Sequence, residues 1–297
     1  MLAAIPFPDI GPEIFTISLF GFDFALRWYA MAYIVGIVIG WRMAAAAARA
    51  GRLWPGGVSP VTPEDIEELL TAIIIGIIVG GRLGYVLFYQ PGYYLENPGQ
   101  ILVLWEGGMA FHGGVLGVIA AGAWFVWRKG IPAASLADIV AYATPPGILL
   151  GRAANFINAE LWGAPTSLPW GVIFPGAAAQ DCPGVEGLCA RHPSQLYEAG
   201  LEGLVLGIVL IWMVWARGAL KTPGRVAGAF FLGYGAARFA VEFVRQADAQ
   251  FITPENPAGY VVRLGELGLS MGQVLSLPMI AVGLLLVVWS ARRRQPA

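Results

Sequence analysis

At 297 residues, 57% hydrophobic and only 12% charged, with a mean hydropathy of +0.67, the chain falls outside the soluble class. A soluble domain carries about 25% charged residues, and a membrane span needs about 20 apolar ones, so the length suits one integral domain over 1–297. The formal net charge of −1, with no basic run interleaved with aromatics, excludes nucleic acid as a partner and leaves the bilayer as the expected surroundings.

Residues 1–22 contain no Lys or Arg but hold Pro6, Pro8, Gly11 and Pro12. A cleavable signal peptide has a basic segment before its apolar stretch. This opening therefore reads as an interfacial lead-in at the membrane surface. Apolar runs then predict seven spans, at about 27–48, 69–89, 110–127, 135–150, 196–215, 226–243 and 271–290. The fold class is an all-α integral membrane protein with about seven transmembrane helices. The longest connection, about 158–195, is rich in Pro, Gly and Trp and forms a head region.

Loop charges set an expected orientation. Arg42, Arg49 and Arg52 follow the first span, Arg128 and Lys129 the third, Arg217, Lys221 and Arg225 the fifth, and Arg292, Arg293 and Arg294 the seventh. That side is cytoplasmic, so the N-terminus lies outside and the C-terminus inside. Glycine pairs such as Gly36/Gly40, Gly76/Gly80/Gly84, Gly113/Gly117 and Gly203/Gly207 read as helix-packing positions rather than substrate contacts. No internal repeat is visible, which weighs against a secondary transporter.

Polar groups inside apolar runs need partners or a task. Tyr29, in Leu26-Arg-Trp-Tyr29, is either an interfacial anchor or a site residue. Arg82, in Gly80-Gly-Arg-Leu-Gly-Tyr85, sits among apolar neighbours and is expected to pair with a carboxylate or a lipid phosphate. His112 stands among four glycines, open either to a structural hydrogen bond or to general-base work near neutral pH. Arg152 and Asn155, three apart, share a helix face, with Asn158 and Glu160 close behind. Arg238 and Glu242 are spaced by four and form either a self-contained ion pair or half of an anion site. Two such arginine-plus-carboxylate sets at one depth favour the anion site. His192, before Pro193, reads as the structural start of a helix.

The two cysteines, Cys182 and Cys189, form either a local disulfide or two free thiols. With two histidines and no Cys-x-x-Cys or His-Glu-x-x-His pattern, a zinc or iron site is not expected, and no cofactor is implied.

The motif Gly151-Arg-x-x-Asn-Phe-x-Asn-x-Glu-x-x-Gly163 resembles the signature of bacterial prolipoprotein diacylglyceryl transferases. Leu26-Arg-Trp-Tyr29, Gly80-Gly-Arg-Leu-Gly-Tyr85, Phe111-His-Gly-Gly114, Arg191-His-Pro-Ser-Gln-Leu-Tyr-Glu198 and Arg238-Phe-x-x-Glu-Phe-x-Arg-x-x-Asp248 follow the family's order, from about residue 5 to the last span. The resemblance implies a plasma (inner) membrane enzyme with its site toward the extracytoplasmic side. Its substrates would be phosphatidylglycerol and preprolipoprotein signal peptides bearing a lipobox cysteine, joined by a thioether as glycerol phosphate leaves. It implies that Arg152 binds the lipid phosphate, with Asn155, Asn158, Glu160 and Gly163 shaping that site and Arg82 and Arg245 counted beside them. It places His112, Arg238, Glu242, Tyr29 and Tyr234 at the reacting centre. The cysteine pair lies outside the family pattern. Another phosphatidylglycerol-using transferase, or a flippase for an anionic lipid, competes with this reading.

Overall fold

The computed structural model describes residues 4–19, 22–182, 184–265 and 267–292. Arg293 and Arg294, expected among the cytoplasmic charges, lie outside the described residues. The architecture is mostly helical. The principal helices are α1 (Trp28–Arg49), α2 (Pro63–Phe88), α3 (Phe111–Lys129), α4 (Ala133–Ala143), α5 (Pro145–Ile157), α6 (Ser194–Trp215), α7 (Arg225–Val241) and α8 (Met271–Arg292).

Helix occupies all seven regions expected to span, but among the described residues five segments are long and apolar enough to cross a membrane: α1, α2, the run Ala133–Ile157 formed by α4 and α5, α6 and α8. The count of seven is not reproduced, and the reason is local. At 17 residues α7 is about 26 Å long, short of a hydrocarbon core of about 30 Å. Glycines and the terminal Arg128 and Lys129 dilute α3. The run Ala133–Ile157 is one span broken at Thr144, because Pro145 and Pro146 donate no N–H and restart the helix from its first turn.

An all-α description also needs correction at the surface. The strands β1 (Glu13–Leu19) and β2 (Phe22–Arg27) form an antiparallel hairpin leading directly into α1. Its sequence, Glu-Ile-Phe-Thr-Ile-Ser-Leu, alternates β-favouring residues at period two, which a search for apolar runs passes over. Elsewhere Ile5–Pro6 pairs with Val172–Ile173, and Val262–Leu264 pairs with Leu267–Leu269.

Glycines set the closest helix contact. A methyl at Gly76 of α2 would stand 2.5 Å from the Gly117 oxygen of α3, so the two backbones touch along this seam. Gly36 and Gly203 likewise face Gly147 and Leu149 of α5, as the packing reading of those pairs expects. The start of α2 carries a capping box: Asp65 N–H donates to Thr62 Oγ1 at 3.2 Å, and Thr62 N–H to Asp65 Oδ2 at 2.9 Å. α7 is capped from outside: the buried Asp138 carboxylate of α4 accepts from the N–H groups of Gly224 and Ala227, both at 2.8 Å. Trp54, Phe125, Ile139, Leu210, Val214 and Leu220 fill the core at this end.

The described residues of 158–182 and 184–193 are folded rather than loose. Phe7, Phe156 and Trp162 pack around Val172, Phe174 and Ala179, and Cys182 and Cys189 are joined in a disulfide with Cα atoms 6.3 Å apart. Arg191 ties the region together by donating to the carbonyls of Ala179 (2.6 Å), Asp181 (2.8 Å) and Gly163 (3.3 Å) and to Gln246 Oε1 (2.9 Å).

Candidate active site

Three arginines and three glutamates from α5, α6, α7 and the turn that follows α7 meet where these helices adjoin the folded head. Arg152 on α5 reaches across to α6, with Nη1 3.1 Å from Glu198 Oε2 and Nη2 3.8 Å from Glu202 Oε2. Arg238 on α7 places Nη1 3.0 Å from Glu198 Oε1 and 2.7 Å from Glu242 Oε2. Arg245 closes the row, 3.9 Å from the same Glu242 oxygen. Tyr234 lies beside Arg152, and its ring stacks on Phe230. Glu198 is thus the bridge between the two arginine sets that sequence spacing had kept separate.

Exposure shows which way the cluster faces. The side chains of Glu198 and Glu202 are 0% exposed and that of Glu242 is 6%, whereas those of Arg152, Arg245 and Arg238 are 21%, 17% and 14% exposed. The carboxylates lie behind and the guanidinium groups in front. The charges, three positive and three negative, balance formally, which lets the set persist in an apolar setting. The Arg238–Glu242 pair is therefore not self-contained.

Local backbone brings Glu198 and Glu202 to one face. Residues Ala199–Val205 of α6 form a π-helical segment, whose wider turn nearly aligns positions four apart. Neither oxygen of Glu202 has a hydrogen bond among the described residues, and its ion-pair partner within 4 Å among them is Arg152.

The second half of the signature builds a neighbouring polar cluster. Asn155, buried on α5, donates through Nδ2 to Glu160 Oε1 at 2.7 Å, and Asn158 Nδ2 lies 3.5 Å from the same oxygen. Gln195 Nε2 donates to the Glu160 carbonyl at 2.5 Å. Ala159 and Leu161, either side of Glu160, have φ of 52° and 58°, a left-handed conformation that non-glycine residues adopt only when surroundings impose it. At Gly163 any side chain would collide: a methyl would sit 2.5 Å from the Val244 oxygen and 2.7 Å from His192 Cβ. Gly163 bridges to Arg245 through the backbone, joining this cluster to the arginine row.

Other expected residues take different places. Tyr29 hydrogen-bonds Tyr33 through the two hydroxyls at 3.1 Å, and Tyr33 lies near Arg152 and Glu160. His112, in the first turn of α3, is exposed and edge-on to Phe111; it has no hydrogen bond or ion pair among the described residues and is not joined to the arginine row. His192 is structural: its backbone pairs with Gly163 and Ala164, Nδ1 lies 3.2 Å from the Tyr197 hydroxyl, and burial lowers its pKa.

Arg82 departs from the expected carboxylate or phosphate partner. It is 5% exposed, and its five N–H groups donate to the carbonyls of Gln100, Ile101, Val103, Gly107 and Gly108 at 2.6–3.1 Å. All its donors are spent on the elbow between α2 and α3. Sequence reasoning left Glu198, Glu202 and Gln195 unassigned. The available signal was two carboxylates four residues apart in an apolar span, the same anomaly that singled out Arg152.

The family model described as prolipoprotein diacylglyceryl transferase matches residues 15–289. The phosphatidylglycerol–prolipoprotein diacylglyceryl transferase of Roseobacter denitrificans is 65% identical over 297 residues, covering 100% of both chains. That of Ruegeria pomeroyi is 64% identical over 288 residues, 97% of this chain and 98% of the relative. The same-named protein of Rhizobium meliloti is 47% identical over 296 residues, 100% of this chain and 96% of the relative. With a polar site built among membrane-length helices and identity running end to end, the chain belongs to the prolipoprotein diacylglyceryl transferase family.

Proposed function

We infer that this chain moves the diacylglyceryl group of phosphatidylglycerol onto the lipobox cysteine of preprolipoproteins. The observation that carries the reading is the row of Arg152, Arg238 and Arg245, outward-facing and backed by buried glutamates. Guanidinium groups are permanently charged and bidentate, so they suit a phosphate ester in the ground state and as it departs. The carboxylates behind them fix their orientation in advance, which a transition-state donor requires.

In the step envisaged, the cysteine sulfur attacks the glycerol carbon bearing the phosphate ester. A C–S bond forms, the C–O bond breaks, and glycerol phosphate leaves with the electron pair. The thiol has an ordinary pKa of about 8.5 and attacks as thiolate, so a base must take its proton. His112 is the residue assigned to that task, with Tyr29 and Tyr234 at the margin of the reacting centre. Arg152, with Asn155, Asn158, Glu160 and Gly163 shaping its surroundings, holds the lipid head group, and Arg238 with Glu242 serves the leaving phosphate. Arg82, its donors spent, supports the site from outside rather than touching lipid.

The chain works as one integral domain in the plasma (inner) membrane, with the N-terminus and arginine row outside and the C-terminus in the cytoplasm. Two features support this orientation. The basic loop residues lie on the opposite side, and the Cys182–Cys189 disulfide suits an oxidising compartment.

Purified protein incubated with phosphatidylglycerol vesicles and a lipobox peptide is expected to yield diacylglyceryl thioether peptide and an equal amount of glycerol phosphate. Lipid movement without product would overturn the reading. For the proton step, His112→Gln is expected to lower kcat by about a hundredfold or more near neutral pH. A wild-type rate and an unchanged pH profile would remove His112 from that role.

A further inference from the structure

A long apolar cleft lies apart from the arginine row. Because α2 and α3 touch backbone to backbone at their glycines, the space over that seam has a floor without side chains. Val79 and Leu83 on one side, and Leu116 and Trp124 on the other, rise as walls around a cleft of about 810 Å³. Its lining reaches from Glu68 and Arg128 at one end to Leu87 and Gly113 at the other. Along α2 that distance is about 30 Å at 1.5 Å per residue, the thickness of a bilayer's hydrocarbon core.

The two ends differ in chemistry. At the first, Glu64 continues the stripe of Glu68, Thr71 and Ile75 by helical spacing. Glu68 is held by Arg128 and Lys129, both at 2.6 Å, but Glu64 is exposed and forms no ion pair among the described residues. The second end stops at Gly113, whose preceding residue is His112.

We propose that this cleft seats the signal peptide of the preprolipoprotein substrate as a helix, its basic start at Glu64 and its cysteine at the His112 end. The proposal rests on the transferase reading above and specifies where the second substrate lies. Signal peptides carry a positively charged segment followed by 7–15 apolar residues before the processing region. As a helix that apolar part measures about 10–22 Å and fits between the two ends. A floor of glycine lets a third backbone approach closely, which favours a helix over acyl chains. An anionic lipid head group would meet the free Glu64 carboxylate at the acidic end, whereas a basic peptide start is attracted there.

The test uses the full chain in proteoliposomes with a preprolipoprotein whose lipobox cysteine is replaced by alanine, so the complex does not turn over. A photoreactive p-benzoylphenylalanine is placed at Leu116, a wall residue 62% exposed, or at Leu285 on α8, 68% exposed and away from the cleft. Light is expected to join the apolar segment of the preprotein to position 116 and not to 285. Equal yields at both positions, adducts with phospholipid alone, or dimers of this chain at 116 would each overturn the proposal. Separately, Glu64→Lys is expected to raise KM for the preprotein about fivefold, the scale of one exposed ion pair reversed, leaving kcat and the KM for phosphatidylglycerol unchanged. A preprotein with an acidic start should reverse that defect, and no change with either preprotein would refute the charge contact. Wild-type transfer on the same vesicles reports on the enzymatic reading independently of where the peptide crosslinks.

Discussion

Glu198 is the residue on which the arginine row depends, since one buried carboxylate meets both Arg152 and Arg238. Glu198→Gln keeps the shape and removes the charge, leaving two guanidinium groups with less to hold them. Breaking such a partly buried network costs about 3 kcal/mol, so kcat/KM for transfer is expected to fall roughly a hundredfold. Purified enzyme assayed across both substrate concentrations decides this, and a value within about twofold of wild type would refute the bridging role. At this scale Arg152, Asn155, Arg238 and Glu242 were legible in the sequence, because polar groups in apolar runs announce themselves. What joins them was not. Arg152 and Arg238 meet through a carboxylate on a third helix, and only tertiary structure sets that distance. Arg82 shows the opposite limit, since a buried arginine advertises a need for acceptors without saying that backbone carbonyls fill it.

Among the elements, the elbow between α2 and α3 is defined by that arginine. Arg82→Ala would strand five carbonyls, in a position where unmet polar groups are costly, and is expected to destabilise the fold by at least about 3 kcal/mol. A drop in thermal stability in detergent is the measurement, with Arg82→Lys intermediate because an ammonium offers fewer donors in a less matched geometry. If Arg82→Ala stayed as stable as wild type but lost lipid affinity, a direct phosphate contact would be the better account. Helix placement was legible from apolar runs in all seven regions. The number of spans was less so, because α7 is apolar enough for one but, at 17 residues, is shorter than the five membrane-length segments found among the described residues. The hairpin of β1 and β2 escaped because alternation, not run length, encodes it.

For the whole molecule, orientation is the first question. Cysteines introduced at Ser167 in the folded head and Lys221 beyond α6 offer a direct measurement with a membrane-impermeant maleimide on intact spheroplasts. Labelling at 167 and protection at 221 is the expected pattern, and the reverse would invert the topology. The native pair does not interfere, being joined as a disulfide. A second consequence follows from the formal balance of three arginines and three glutamates in the row. An open cationic pocket gathers counterions from solution and exchanges them for its ligand, so its affinity weakens as salt rises. Here the counterions are covalently part of the chain and never leave. Phosphatidylglycerol affinity in neutral carrier vesicles should therefore change by less than about twofold between roughly 50 and 500 mM salt. A steep decline would mean that the glutamates do not neutralise the row. On the proposed reading, lipid recognition here would rest on directed hydrogen bonds at contact range rather than on exchange of dissolved ions, and so would be insensitive to the salt outside the cell.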